Sequence, residues 1–225
     1  SGSRASAKLE MIQANTNWQA GENALVGLQL TFSFGQWAAW LTLLNGGCLH
    51  LRGRFDAREF QGLLESGDIQ RLPAVPTMLR HLLDLNVTSS FDGQIMAGGE
   101  PLPAALGHRV RAAYPAAGLG DIYGLTETGT CDFFVSPGAY DQLAGKIGYA
   151  GDDIDWRINP LNQELEVFSP WRMLGYLDAP EITASVMQEG WFQTGDLMEQ
   201  DPSGALRLIG RAKDLILRSG NKISP

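Results

Sequence analysis

Residues 23–51 of the sequence, NALVGLQLTFSFGQWAAWLTLLNGGCLHL, contain no aspartate, glutamate, lysine or arginine. Polar residues and glycine-bearing breaks nevertheless interrupt this stretch, whereas a membrane-spanning helix needs about 20 mostly apolar residues in a row. We therefore divide it into a buried strand over residues 24–30, a helix over residues 36–44 and a second strand over residues 48–51, after the Asn-Gly-Gly stop. A strand–helix–strand order is typical of a parallel sheet covered by helices.

The same alternation continues on both sides of this stretch. Further helices are predicted at residues 6–18, 55–67, 77–86 and 104–115, and further strands within residues 69–76, 92–103 and 119–129. In the helix over residues 36–44, apolar side chains at i, i+3, i+4 and i+7 predict one buried face made of Trp37, Trp40, Leu41 and Leu44. Asp56 stands at the entrance of the next helix, where a cap is expected. Up to about residue 135 the chain is therefore predicted to be a layered α/β sheet domain.

The pattern of apolar and turn residues changes after Pro137. Short apolar segments, separated by turn residues about every 8 to 12 positions, replace the alternation of strands and helices. This spacing predicts a small antiparallel β unit or barrel over residues 137–210. The predicted organisation is an α/β subdomain over residues 1–136, incomplete at its N-terminus, followed by the β subdomain and a terminal segment over residues 211–225.

The composition limits the classes of partner. The chain has 225 residues and a formal charge of −8, so it does not attract nucleic-acid phosphates or an anionic membrane at long range. No transmembrane segment and no signal peptide is expected from the sequence. Two widely spaced cysteines, Cys48 and Cys131, are expected to be reduced, buried and typical of a cytoplasmic protein. The three histidines are isolated, so no transition-metal site is predicted.

Residues 121–130, DIYGLTETGT, are the first candidate site. At the carboxyl end of a strand, the ring of Tyr123 can lie on a purine, and Gly124 permits a tight turn. The hydroxyl of Thr126 can donate to a phosphate oxygen, and Glu127 offers a hard oxygen ligand to Mg²⁺. The alternative is a plain strand–turn–helix, in which the threonine caps the helix and the glutamate stabilises its first turn.

Three more segments carry candidate binding residues. The loop over residues 97–103, AGGEPLP, presents bare backbone that can lie against a flat ring. In residues 190–197, GWFQTGDL, a turn is predicted to present Asp196, whose carboxylate can accept two ribose hydroxyls. Residues 210–225 add Arg211, a second possible ribose or phosphate contact. The alternatives are a simple β–α turn, a plain hairpin and a solvated edge strand.

In this order and at this spacing, the four segments resemble the acyl-adenylate-forming enzymes, which include acyl-CoA synthetases, adenylation domains of peptide synthetases and luciferases. The resemblance covers the chain from about Leu25. It implies activation of a carboxylic acid by MgATP to acyl-AMP, with release of pyrophosphate, and transfer to a thiol. Coenzyme A is the favoured acceptor, and a carrier-protein thiol is the alternative. A non-catalytic or truncated relic that binds a nucleotide or a partner is the competing hypothesis.

The resemblance also implies roles for individual residues. The implied nucleotide-binding residues are Gly98, Gly99, Glu100, Asp121, Tyr123, Gly124, Thr126, Asp196 and Arg211. Among these, Asp121 and Tyr123 would contact adenine, and Asp196 and Arg211 would contact ribose. Thr126 and Glu127 would be catalytic, with Glu127 as the Mg²⁺ ligand. Phe32, Ser33 and Gly98 would line the acyl pocket, and Asp214 would be the hinge to a C-terminal lid.

The sequence departs from the family pattern in three places. It stops at Pro225, so the lid and its catalytic lysine are not expected, and the 225-residue chain is expected to be inactive alone. At the start, residues 1–8 match the phosphate loop only in part, so that loop stays unassigned. Amino-acid-activating members carry an aspartate where this chain has Ser33, and a hydroxyl cannot neutralise a buried ammonium. The expected substrate is therefore an uncharged, apolar acyl or aryl acid, as in fatty acid metabolism.

Overall fold

A seven-stranded sheet organises the chain up to residue 150 in the computed structural model. The structure describes the backbone of residues 2–214, 216–218 and 221–223, and the side chains of residues 4–214. The strands of this first sheet are β1 (Ala24–Val26), β2 (Leu49–Leu51), β3 (Arg71–Ala74), β4 (Gln94–Gly98), β5 (Gly118–Tyr123), β6 (Phe133–Val135) and β7 (Tyr149–Ala150). Their spatial order is β2-β1-β3-β4-β5-β6-β7. Strands β1 to β5 are parallel, and β6 and β7 extend the sheet in antiparallel pairs.

Helices cover both faces of the first sheet. They are α1 (Gly2–Thr16), α2 (Ser33–Leu44), α3 (Ala57–Leu64), α4 (Pro76–Leu83) and α5 (Ala104–Ala113). Helices α3 to α5 contribute Phe60, Leu79 and Val110 to the hydrophobic core on one face. Helices α1 and α2 contribute Ile12 and Trp37 to the core on the other face. This arrangement confirms the predicted α/β fold class.

Local chemistry explains why these elements form where they do. Alternate residues of β4 serve the two cores, since Ile95 packs in one core and Met96 in the other. The side chain of Asp56 accepts hydrogen bonds from the backbone N–H groups of Arg58 and Glu59, both at 3.0 Å. The predicted cap of α3 is therefore confirmed.

The predicted apolar face of α2 is wrong in part. Trp37 and Leu41 are buried, but Trp40 is 52% exposed and Leu44 is 67% exposed. Helix α2 begins at Ser33, one turn earlier than predicted, and buries Phe34, which stacks on Trp37 with ring centroids 5.4 Å apart. The buried stripe therefore runs along Phe34, Trp37 and Leu41, and Trp40 and Leu44 lie to its side.

A second, antiparallel sheet follows the first. Its strands are β8 (Asp155–Ile158), β9 (Glu164–Phe168), β10 (Met187–Gln188), β11 (Trp191–Gln200) and β12 (Leu206–Arg211). Helix α6 (Tyr140–Leu143) lies in the chain between β6 and β7 of the first sheet, and α7 (Pro180–Val186) precedes β10. A hairpin of β13 (Ile216–Arg218) and β14 (Asn221–Ile223) is the last described element. The predicted antiparallel β unit is therefore present.

The chain changes sheets later than the predicted boundary at Pro137. Strand β6 pairs with β7 in the register Phe134 to Tyr149, so residues 137–150 return to the first sheet. The change falls between Ala150 and Asp155, where β8 begins. The turn residues after Pro137 belong to a loop within the first sheet. Short antiparallel strands at the edge of that sheet have the same sequence pattern as the strands of a separate β unit, so the sequence could not distinguish the two. The division into subdomains itself stays a prediction.

The cysteines differ from the expectation in one respect. Both are free thiols, but Cys48 is exposed and only Cys131 is buried. Cys48 stands directly before β2, an edge strand of the first sheet, where one side lacks a neighbouring strand. Within the described residues, each helix is too short or too polar to cross a bilayer. The cytoplasmic location stays a prediction.

Candidate functional site

A cleft lies where the carboxyl ends of β4 and β5 meet strands β11 and β12 of the second sheet. Its lining includes Gly99, Glu100, Asp121, Tyr123, Gly124, Asp196 and Arg211, all of them predicted nucleotide-binding residues. The enclosed volume is about 70 Å³, well below the roughly 300 Å³ of a small-molecule pocket. A nucleotide would therefore lie against these residues rather than inside a closed cavity. The position agrees with the rule that ligands of α/β sheets bind at the carboxyl ends of the strands.

The loop after β4 approaches its neighbours too closely for side chains. A Cβ built on Gly98 would lie 2.5 Å from Cγ1 of Ile122 and 3.1 Å from the ring of Phe34. Gly98 therefore supports the cleft from behind, while Gly99 and Glu100 line it. The backbone of the loop after β4, which the sequence predicts to lie against a flat ring of a ligand, is therefore at the edge of the cleft.

Three predicted residues are joined by direct contacts. The hydroxyl of Tyr123 donates a hydrogen bond to Oδ2 of Asp196 at 2.7 Å, although 73 positions separate the two residues. Nε of Arg211 lies 2.8 Å from the other carboxylate oxygen, Oδ1. Asp196 is buried, whereas half of the Arg211 side chain is exposed. The sequence motifs of the two sheets therefore converge on one carboxylate.

An irregularity in β11 aims Asp196 into the cleft. The predicted turn at this residue is wrong, because β11 continues from Trp191 to Gln200. Within it, the pairing with β9 steps from Gln193 opposite Glu166 to Leu197 opposite Glu164, so β11 carries more residues than β9 here. Gly195 has φ +73, a conformation that favours glycine. Such a bulge re-aims a side chain without ending the strand, which sequence reasoning could not distinguish from a hairpin.

Asp196 has capacity for a further ligand. Within residues 4–214, no donor has hydrogen-bond geometry toward its Oδ1, since the Nε–H of Arg211 is close but not aligned. A buried carboxylate oxygen without a donor is costly, so it is available to a hydroxyl that enters the cleft. Burial, and next the negative charge of Asp196, raise the pKa of Tyr123 above its usual value. The tyrosine therefore stays a neutral donor.

Asp121 is a second buried carboxylate with spare capacity. It accepts a hydrogen bond from the backbone N–H of Ile122 at 3.0 Å. Burial nevertheless raises the pKa of Asp121 well above its usual value. A donor such as the amino group of a purine would stabilise the ionised form. The position of Asp121 beside Tyr123 in the cleft suits the edge of a flat base.

The loop after β5 presents Thr126 and Glu127 beyond the cleft. Residues Thr126–Thr128 form a single 3₁₀ turn in which Thr126 is exposed and Glu127 is half-buried. Oε1 of Glu127 accepts a hydrogen bond from the hydroxyl of Tyr176 at 2.9 Å. In the part of the chain with described side chains, no three His, Cys, Asp or Glu residues form a metal cage. A single carboxylate fits Mg²⁺ that takes its other ligands from phosphates and water.

Sequence reasoning missed a buried ion pair beneath this loop. Nζ of Lys8 lies 3.1 Å from Oδ1 of Asp132 and 3.1 Å from the carbonyl oxygen of Cys131. The hydroxyl of Thr128 donates to the other oxygen of Asp132. The available signal was helical spacing, because Lys8 shares one face of α1 with the buried residues Met11 and Ile12. Asp132 itself carries no signal in the sequence.

A larger cleft of about 700 Å³ lies between α1 and α2. Thr126 and Ser33 lie at its wall, and Trp37, Trp40 and Leu44 line it along α2. Two exposed apolar residues of α2, Trp40 and Leu44, therefore face this cleft.

The three predicted acyl-pocket residues have different surroundings in the structure, and their role stays a prediction. Ser33 lines the larger cleft, whereas Phe32 is 67% exposed, and Gly98 packs against Ile122 and Phe34. The predicted hinge residue, Asp214, is exposed in a 3₁₀ turn directly after β12. The described side chains end at this residue, so the rest of the predicted terminal segment lies outside them.

Comparisons with known proteins connect this geometry to one family. A family model described as AMP-binding enzyme matches residues 4–176. A feruloyl-CoA synthase from Amycolatopsis sp. is 29% identical over 230 residues, which cover 95% of this chain and 46% of that protein. A fatty acid–[acyl-carrier-protein] ligase, ScoC, from Streptomyces coeruleorubidus is 29% identical over 93% of this chain and 43% of its own length. The chain thus spans about half the length of these relatives.

Solved structures give the same result for the fold. The o-succinylbenzoate CoA synthetase MenE from Bacillus subtilis, in complex with its acyl-adenylate intermediate, superposes with a TM-score of 0.88 at 25% identity. The match covers 99% of this chain and 47% of MenE. The same enzyme in complex with ATP and magnesium superposes with a TM-score of 0.87.

Proposed function

This chain belongs to the AMP-binding enzyme family, and from that premise we propose that the protein activates a carboxylic acid with ATP and transfers it to a thiol. In the first step, a carboxylate oxygen attacks the α-phosphorus, the bond to pyrophosphate breaks and acyl-AMP forms. In the second step, a thiolate attacks the acyl carbonyl, and AMP leaves. Both steps need one site that holds the nucleotide and the acid end to end.

The observation that carries this proposal is the convergence of Tyr123, Arg211 and the donor-free oxygen of Asp196 on one cleft. A ribose brings two hydroxyl donors, and Oδ1 of Asp196 is an acceptor without an aligned partner among the described residues. Arg211 adds a cation beside it. Tyr123 supplies an aromatic ring, and Asp121 supplies an acceptor for the base. These groups together match adenosine better than they match a sugar or a peptide.

Beyond the ribose, Thr126 and Glu127 occupy the position where the phosphates would lie. The exposed hydroxyl of Thr126 can donate to an α-phosphate oxygen, and the carboxylate of Glu127 can hold Mg²⁺. When bound, Mg²⁺ neutralises negative charge on the phosphate oxygens. The protein's own contribution is to orient these groups before the reaction begins. We assign Thr126 and Glu127 to catalysis on this basis.

The cleft between α1 and α2 is the place for the acid. It begins at Thr126 and Ser33, next to the proposed phosphate position, and continues along Trp37, Trp40 and Leu44. Beside the polar Ser33 and Gln36, its wall along α2 is aromatic and aliphatic, which suits an uncharged, apolar acyl or aryl group. The names of the relatives, a feruloyl-CoA synthase and a fatty acid–[acyl-carrier-protein] ligase, support both kinds of acid and both kinds of thiol. We favour coenzyme A as the acceptor.

The proposal can be tested on the full-length protein by ATP–pyrophosphate exchange with a panel of aliphatic and aryl acids. Exchange that requires both an acid and Mg²⁺ is the expected result. Tyr123→Ala should abolish it, and Tyr149→Ala, which changes an exposed tyrosine in the edge strand β7, should not. Binding of AMP without exchange for any acid would favour the alternative of a non-catalytic nucleotide-binding protein.

Non-hydrolysable acyl-AMP mimics give a second, independent readout. A ligand that binds only the folded state stabilises it by about 2.7 kcal/mol at a hundredfold excess over Kd. The thermal shift should therefore depend on the acyl group and identify its class. If no mimic shifts the unfolding temperature, the adenylate site is not where we place it.

A further inference from the structure

Tyr176 touches the proposed metal ligand but belongs to none of the segments that predicted the site. It stands in the loop between β9 and α7, 49 positions after Glu127. Its hydroxyl donates a hydrogen bond to Oε1 of Glu127 at 2.9 Å. The side chain is half-buried, so the contact is neither deep in the core nor freely exposed.

The same loop holds the backbone of Glu127. The N–H of Met173 donates to the carbonyl oxygen of Glu127 at 2.7 Å. One segment of four residues therefore fixes Glu127 at both its main chain and its carboxylate. Because the two contacts come from one segment, they set the position and the direction of the side chain together.

Tyr176 is itself anchored to α7. Its backbone N–H donates to the hydroxyl of Thr183 at 2.9 Å, and that hydroxyl donates to the carbonyl oxygen of Ala179 at 3.0 Å. The position of the tyrosine therefore depends on the start of a helix rather than on a free loop. A rigid donor is what a charged, flexible side chain needs to keep one orientation.

Orientation matters here because an isolated glutamate is flexible. Ordering such a side chain costs conformational entropy, and a metal ligand that is already ordered does not incur this cost when the metal binds. The hydrogen bonds of Glu127 go to Oε1 in the described residues, which leaves Oε2 for a cation. Carboxylates that ligate metals are commonly held by such a partner.

From these contacts we propose that Tyr176 is a positioning residue, which orients the Glu127 carboxylate for Mg²⁺ bound with ATP. The inference rests on the proposed function, because it takes Glu127 as the metal ligand. It makes Tyr176 part of the metal site without any contact to the metal. Loss of such an outer contact typically weakens metal affinity about 10- to 100-fold.

The test uses Tyr176→Phe, which removes the hydroxyl and keeps the ring. Mn²⁺ replaces Mg²⁺ as a paramagnetic probe, and its binding to the full-length protein is followed by electron paramagnetic resonance in the presence of ATP. We expect Mn²⁺ affinity to fall about tenfold or more, with ATP affinity in the absence of metal unchanged. Tyr149→Phe is the matched control, because its hydroxyl lies on the edge of the first sheet, away from Glu127.

A double-mutant cycle separates positioning from a general structural effect. In a Glu127→Gln background, Tyr176→Phe should cause little further loss of Mn²⁺ affinity, because the group that it orients is already changed. Additive losses, or an Mn²⁺ affinity of Tyr176→Phe within twofold of the wild type, would overturn the inference. Failure of the wild-type protein to bind Mn²⁺ with ATP would instead overturn the proposed function, so the two failures can be told apart.

Discussion

A single oxygen atom, Oδ1 of Asp196, carries the strongest information about the site. It is buried beside Arg211, yet it receives no aligned hydrogen bond within residues 4–214. A buried acceptor in this condition usually has water or a ligand as its partner, and among the buried polar atoms without an aligned partner in the described residues this one lies in the cleft. An unpaired buried oxygen is therefore unfavourable for the stability of the folded chain, but a binding site for a hydroxyl donor needs such an acceptor.

Asp196→Asn tests this view at the level of one residue. We expect affinity for AMP or an acyl-AMP mimic to fall about 10- to 100-fold, because a hydrogen bond to a charged acceptor contributes roughly 1.5–3 kcal/mol. Calorimetric titration of the full-length protein measures the change. Asp155→Asn, at an exposed position of β8, is the matched control and should bind as the wild type does. Equal affinities of Asp196→Asn and wild type would remove Asp196 from the ribose site.

The sequence predicted the residues of the cleft but not those that support them. Tyr123, Asp196 and Arg211 stand in segments whose residue types suit a nucleotide, so spacing and chemistry were enough. Tyr176 and the pair Lys8–Asp132 act through contacts across 49 and 124 positions. Such contacts depend on how the sheets and helices are placed, and no local pattern encodes that placement.

At the level of elements, the loop after β4 depends on the absence of a side chain at Gly98. Gly98→Ala would force its Cβ to within 2.5 Å of Ile122 and 3.1 Å of Phe34. Overpacking of this kind typically costs about 1–3 kcal/mol. We expect a lower free energy of unfolding and weaker nucleotide binding, since the loop that lines the cleft must shift. Urea denaturation and mimic binding measure the two effects.

Gly62→Ala should stabilise the folded state, in contrast to Gly98→Ala. Gly62 lies inside α3, is exposed and has open space where a Cβ would stand. Alanine is a better helix former than glycine by about 0.5–1 kcal/mol, so this variant should unfold at a higher urea concentration. A destabilised Gly62→Ala together with a neutral Gly98→Ala would contradict the packing described for both helix α3 and the β4 loop.

The helices show what periodicity can and cannot provide. Every predicted helix up to residue 115 is present, because each carries apolar residues at helical spacing. The predicted buried face of α2 was still wrong in part, since Trp40 and Leu44 satisfy the same spacing as Trp37 and Leu41 but are exposed. Periodicity identifies an apolar face, but the width of that face and the neighbour that covers each part of it depend on tertiary packing.

At the level of the whole molecule, the Lys8–Asp132 pair connects α1 with the end of the loop after β5. Burial raises the pKa of Asp132 to about 6, although Lys8 and Thr128 act in the opposite direction. The folded state therefore binds more protons than the unfolded state between about pH 4 and pH 6. In that window the contribution of Asp132 to stability falls as pH rises, and it stays low above pH 6.

Asp132→Asn makes this pH dependence measurable, because the carboxamide does not titrate and keeps an acceptor for Lys8. The free energy of unfolding of the variant minus that of the wild type should increase from pH 4 to pH 7. Taking the difference cancels the titration of all groups that the two proteins share. A difference that stays constant, or decreases, across this range would show that the Lys8 charge fully offsets the burial of Asp132.

The two sheets of the molecule are closely joined, which the sequence did not predict. The N–H of Ile147 donates to the carbonyl oxygen of Leu206 at 2.8 Å, and Lys146 forms an ion pair with Asp201. The site lies across this junction, with Tyr123 on one side and Asp196 on the other. The spacing of apolar segments and turn residues located the β-rich part of the chain, but it could not show which of its strands return to the first sheet.

The return of β7 to the first sheet determines where the chain can be shortened to a stable fragment. A fragment that ends at residue 136 would leave β6 as a bare edge, because its pairing with Tyr149 and Ala150 would be lost. Phe133, Phe134 and Val135 on that edge are all apolar, and an unpaired apolar strand is a template for aggregation. A cut after Gly151, by contrast, would keep β7 paired with β6, so that the apolar strand β6 would not become an edge.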